Sequence, residues 1–182
     1  MTLRIQLACC ALLLMISAVA GQAQVLNSGV QTISLNANLS ESMSVNLSVN
    51  SVTFALTAHS ATNAGSTGVT ATETWIAHPG RNLSVYAYFS SSTAALTDGF
   101  GNNIPSADFS ISDNAGAYAP LSNTVAFGAA SAGLQLYTVK ITGTNRNGTH
   151  TDNMLFNINL STIPQLPAGT YTGVLNIQAQ AI

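Results

Sequence analysis

The feature that most restricts what this chain can fold into is a two-residue rhythm of apolar and small polar side chains. In Gln31-Thr-Ile-Ser-Leu-Asn-Ala-Asn-Leu39, the residues Ile33, Leu35, Ala37 and Leu39 fall on one side, with Ser and Asn on the other. Successive side chains of an extended strand point to opposite faces, so this period predicts a half-buried strand. The rhythm returns in Met43–Val49, Asn153–Leu160 and Tyr171–Ala181, and Val52–Leu56, the Thr-rich Val69–Ile76 and Leu134–Thr142 read as further strands. Shorter strands are expected near Phe109–Ser112 and Val125–Phe127. Leu83–Phe89 is apolar on both faces apart from Ser84, which predicts a central strand. His78-Pro79-Gly80 and Gly143–Gly148 read as turns, and Pro164 and Pro167 break the chain. No helical period of useful length competes. The expected fold is all-β, an immunoglobulin-like two-sheet β-sandwich of about eight or nine short strands, with a single closed barrel as the alternative.

Composition supports this and removes other classes. The 182 residues include 20 Ser, 20 Thr and 17 Asn, and only 5% are charged. Average soluble domains carry roughly 25% charged residues. Four Lys and Arg exclude a basic nucleic-acid binder, and so little Glu, Lys and Arg excludes a coiled coil or bundle. Arg4 is followed by the apolar run Leu7–Ala20, closed by small residues. That pattern is a signal peptide over residues 1–23, with cleavage after Ala20 or, preferably, Ala23. Residues 24–182 then form a single β-sandwich domain. Cys9 and Cys10 leave with the leader, so the domain has no disulfide and stands on its core alone. The expected location is secreted, either periplasmic or at the cell surface, and no later apolar stretch is long enough to anchor the chain.

Motifs that carry chemistry are scarce. His59, His78 and His150 lack metal-ligand spacing. Glu41, Glu73, Asp98, Asp108, Asp113 and Asp152 are scattered, and no nucleophile elbow or phosphate loop is present. Asp98-Gly-Phe-Gly-Asn-Asn103 lacks the further acidic ligands of a calcium loop and reads as a turn held by Asx hydrogen bonds. The expectation is a non-catalytic protein without cofactor or metal. Trp75, Tyr86 and Tyr88 form the aromatic concentration, either a packing face or a ligand face for sugars. Sheet edges so poor in charge suit pairing with other surface proteins or with copies of the same chain. The chain therefore reads as a structural or assembly module, with a stand-alone carbohydrate-binding or adhesion domain as the alternative.

The segment Leu160–Ala179, with its Pro167-Ala168-Gly169-Thr170-Tyr171 turn running into a last strand, resembles the closing hairpin of the spore coat protein U and fimbrial pilin-like proteins. Ile33–Leu39, Glu41–Val45 and Val52–Phe54 are similar to their first strands. The resemblance implies a pilin-like sandwich and a coat- or pilus-subunit role on a bacterial surface. Those families usually join the first strand to the third by a disulfide; Ser42, Ser44 and Trp75 stand in the corresponding neighbourhoods here. Only about eight residues, Gln24–Gln31, precede the first expected strand, which argues against donation of an N-terminal strand to a neighbour.

Overall fold

The computed structural model describes residues 29–182, so the leader expected over residues 1–23 lies outside the described residues. The chain divides into two units, Met1–Asn38 and Leu39–Ile182. The described part of the first, residues 29–38, contains no strand, and Ile33 and Leu35 are 84% and 88% exposed. The strand expected over Gln31–Leu39 is therefore not formed. Alternation makes one face of a segment apolar, but a strand also needs a ladder partner, and none of these residues has one among the described residues.

In the second unit, eleven strands follow one another: β1 (Ser42–Leu47), β2 (Asn63–Ala64), β3 (Val69–Ile76), β4 (Asn82–Tyr88), β5 (Leu96–Thr97), β6 (Asn103–Ile104), β7 (Phe109–Asp113), β8 (Ala119–Pro120), β9 (Gly133–Lys140), β10 (Asn147–Ile158) and β11 (Asn176–Ala181). The larger sheet has the order β1-β3-β10-β7-β8, with β2 also paired to β10. The smaller has the order β11-β4-β9, and β5-β6 form a separate hairpin. All pairings are antiparallel. The fold is all-β, with the two sheets packed as a sandwich.

The best-defined strands are those whose inward face is wholly apolar. On β4, Leu83, Val85 and Ala87 are fully buried while Ser84, Tyr86 and Tyr88 turn outward, and β4 is central in its sheet as expected. From the facing sheet, Val69 and Ala71 of β3, Phe109 and Ile111 of β7 and Met154 and Phe156 of β10 meet Ala87 and Phe89 in one core cluster. A second cluster gathers Trp75, Ala77, Leu83, Val85 and Ile141.

Two other expected strands are corrected. Val52–Leu56 makes only one bridge, Phe54 to Gly65, although Val52, Phe54 and Leu56 keep their inward alternation. Val125–Phe127 is irregular, because the nearby chain is held by a single bridge, Asn123 to Gly133. The last strand is shorter than expected, since residues 171–175 run beside the sheet with one bridge, Thr97 to Thr172.

Candidate functional site

A groove of about 710 Å³ lies at one open side of the sandwich. Its floor is apolar: Val69, Met154 and Phe156 from the large sheet, Phe109 from β7 and Phe89 at the end of β4. One rim is the end of β1 and its continuation, Leu47 to Leu56; the other is residues 169–175 and the start of β11. Leu47, Val49 and Val174 are 44%, 39% and 72% exposed, so the rims present apolar side chains to water. Large solvent-facing apolar patches mark interaction sites.

Each rim continues from a strand edge. β1 pairs only with β3, and β11 only with β4, so each leaves one side of its backbone without a ladder partner. The sequences of β1, Ser-Met-Ser-Val-Asn-Leu, and β11, Asn-Ile-Gln-Ala-Gln-Ala, contain no charge and no proline. The two edges on the far side differ: β8 contains Pro120 and β9 ends in Lys140. Proline and lysine are the residues that discourage edge pairing. The guarded edges are thus the ones away from the groove.

Local chemistry holds both rims in place. The entry to β1 is fixed by Glu41, whose carboxylate accepts from the Arg81 guanidinium at 2.9 and 2.7 Å and from the His78 amide. Chiefly through the Arg81 hydrogen bonds, Glu41 is held down to about 2. At the other rim the Pro167–Tyr171 motif closes on itself, as the Tyr171 hydroxyl donates to the Pro167 carbonyl at 2.8 Å. Pro167, Ala168 and Gly169 are exposed, so the motif shapes a turn and presents no chemical group beyond it. The Asp98 loop beside it is an Asx turn: Asp98 Oδ1 accepts from the amides of Phe100 and Asn102 at 2.8 and 3.1 Å.

The aromatic residues singled out in the sequence separate. Trp75 is buried at 4% exposure, and its indole N–H donates to the Asn145 carbonyl at 2.8 Å, so it packs the second core cluster. Tyr86 and Tyr88 lie on the outer face of the small sheet, where both pack on Phe127 at 6.0 and 5.8 Å between ring centroids. Phe127 belongs to a run expected as a short strand, and nothing in the sequence placed it against the two tyrosines.

Sequence reading also missed a group of ionisable residues. Glu73, Asp152 and Asp113 come from adjacent strands of the large sheet, and His150 joins them. His150, which has no metal-ligand spacing to another histidine in the sequence, lies within β10, stacked 3.5 Å from Tyr137. A signal was present: along β3 the inward residues run Val69, Ala71, Glu73, Trp75, with one acid in an apolar series.

No protein-family model, curated protein or solved structure matches this chain.

Proposed function

We propose that this protein is a secreted, non-catalytic structural subunit of a bacterial surface, coat- or pilus-like, whose sandwich is completed by a strand from another copy. The observation that carries the reading is the pair of neutral, unguarded edges, β1 and β11, which open at Leu47 and Ile177 into an apolar groove. A strand laid in the groove can bond its backbone to the rims where these edges open and set alternate side chains on the floor.

The occupant is the segment Gln31–Leu39 of a neighbouring subunit. It carries the required alternation, and its Ile33, Leu35 and Leu39 side chains are 84%, 88% and 80% exposed. It has no charged residue to desolvate on entering an apolar groove. Nine extended residues span about 30 Å, longer than the six-residue edge of β11. Because β1 begins only at Ser42, the chain free to donate is longer than the eight residues expected before a first strand at Gln31.

The test is an SDS gel of the native protein, unboiled beside boiled. Strand-exchanged assemblies resist detergent until heated, because a whole strand must be withdrawn. A ladder that collapses on boiling, and that Leu35→Asp abolishes, is the expected result. A single monomer band in both lanes overturns the proposal.

A further inference from the structure

Glu73 and Asp152 lie on the inward face of the large sheet, between the two apolar clusters, and neither is exposed to solvent. Register explains how they meet. His150 pairs with Glu73 and Asp152 with Ala71, so both carboxylates project from the same face of neighbouring strands. Asp113 pairs with Met154 one strand further on, on the same face. Asp152 Oδ1 accepts from His150 Nε2 at 2.8 Å and from the Asn114 amide at 3.3 Å. Its Oδ2 and both oxygens of Glu73 are buried without any hydrogen-bond partner.

An ionised carboxylate buried in this way costs several kcal/mol. Two of them, both acceptors only, cannot satisfy each other. A proton changes that, because a protonated carboxyl becomes a donor. Among the described residues no group of three His, Asp or Glu side chains is disposed to hold a metal ion.

We propose that Glu73, buried on the same face as Asp152, holds a proton in the folded domain, and that loss of this proton loosens the packing of the two sheets. The groups facing Glu73 are Asp152 and His150 on β10, Asp113 on β7 and Tyr137 on β9. Its neighbour on β1, Val45, is apolar, as are Leu83 and Val85 on β4. Burial, and then the charge of Asp152, raise Glu73 to about 7. Burial and then Asp152 raise Asp113 in the same way. The proposal rests on the interior of one domain and stands whether or not the subunits exchange strands.

The sign follows from linkage. With Glu73 near 4.5 when unfolded and about 7 when folded, the native state holds the extra proton between those values, so stability falls as pH rises through that window. The folded-to-unfolded ratio drops by up to about two orders of magnitude across it, at tenfold per pKa unit.

The experiment measures the full-length protein in two ways across that range. Denaturant unfolding is followed by Trp75 fluorescence, and infrared spectroscopy follows the carbonyl band of a protonated carboxylic acid. The wild type should show that band at about pH 6 and lose it by about pH 8.5, while the unfolding midpoint falls from about pH 4.5 to about 7 and levels off above that. Glu73→Gln should lack the band and flatten the pH dependence, while Asp152→Asn should keep the band and lose it at lower pH. The wild-type infrared comparison decides the question if neither variant folds. Absence of the band at about pH 6 overturns the proposal. So does recovery of stability at about pH 8.5 on adding calcium or magnesium chloride, which would make the pair a cation site.

Discussion

Gly148 offers a sharp test of how the second core cluster is built. It pairs with Trp75 across the β3–β10 ladder, and the indole lies flat over the space where a side chain would stand. A methyl at Gly148 would fall 2.7 Å from Trp75 Cε2 and closer still to Cζ2. The ring would have to retreat by about 1 Å to reach ordinary contact distance. Its N–H is tied to the Asn145 carbonyl at 2.8 Å, so that movement also strains or breaks a hydrogen bond. Overpacking costs about 1–3 kcal/mol and the hydrogen bond about 1, giving about 2–4 kcal/mol for Gly148→Ala. Trp75 is the sole tryptophan, so its emission reports the displacement during the same unfolding titration. Gly143→Ala is the control, because a Cβ there meets nothing within 4 Å and the backbone lies outside the positive-φ region; it should be neutral or slightly stabilising. Equal stability and unchanged emission in both variants would refute the account of Trp75 as a core residue clamped by β10.

Gly173→Ala should distort the groove rim, since its Cβ would collide with the Ala95 carbonyl and displace the Thr97–Thr172 bridge; loss of assembly with little change in the far-side β7–β8 pairing, read by hydrogen exchange, is expected. Leu83→Ala removes a fully buried side chain from the central strand of the small sheet and should cost about 3 kcal/mol in chemical denaturation, against below 1 for an exposed site. Tyr88→Ala should leave binding across a glycan array at background, as for the wild type, because the ring is already engaged with Phe127 and its hydroxyl with Gln178 at 2.7 Å; a wild-type signal lost in the variant would revive the carbohydrate-binding reading.

The strands expected over Val69–Ile76, Leu83–Phe89 and Phe109–Ser112 form as β3, β4 and β7 because each has a neighbour on both sides and a deeply buried face, so pattern and pairing agree. Period-two patterning failed at Gln31–Leu39 for the converse reason: the pattern is strong, but among the described residues this segment has no ladder partner. The β5–β6 hairpin was hidden because its turn uses two glycines at positive φ, Gly99 and Gly101, inside what reads as loop sequence. The groove could not be read in advance, since it arises where strand pairing stops, at Leu47 and before Asn176. The carboxylate pair was legible only in part. Glu73 breaks an apolar face visibly, whereas its meeting with Asp152 depends on the β3–β10 register.

The alternation of Gln31–Leu39 also decides between two ways of adding a strand. Burying Ile33, Leu35 and Leu39 gains about 1.5–3 kcal/mol each, while ordering a residue costs about 1–2, so the side chains alone do not order nine residues. Ladder hydrogen bonds must supply the rest, and two edges supply about twice what one does. In an extended strand, the amides of successive residues point to opposite sides, so a proline removes a donor toward one edge only. Asn36→Pro and Ala37→Pro therefore delete bonds to different edges while sparing the three large apolar anchors. If the donated strand lies between β1 and β11, both substitutions should weaken the heat-labile ladder. If it merely extends one sheet, only one of them should. Should neither matter, the segment does not enter as a strand, and the neutral edges of β1 and β11 must be met by something else.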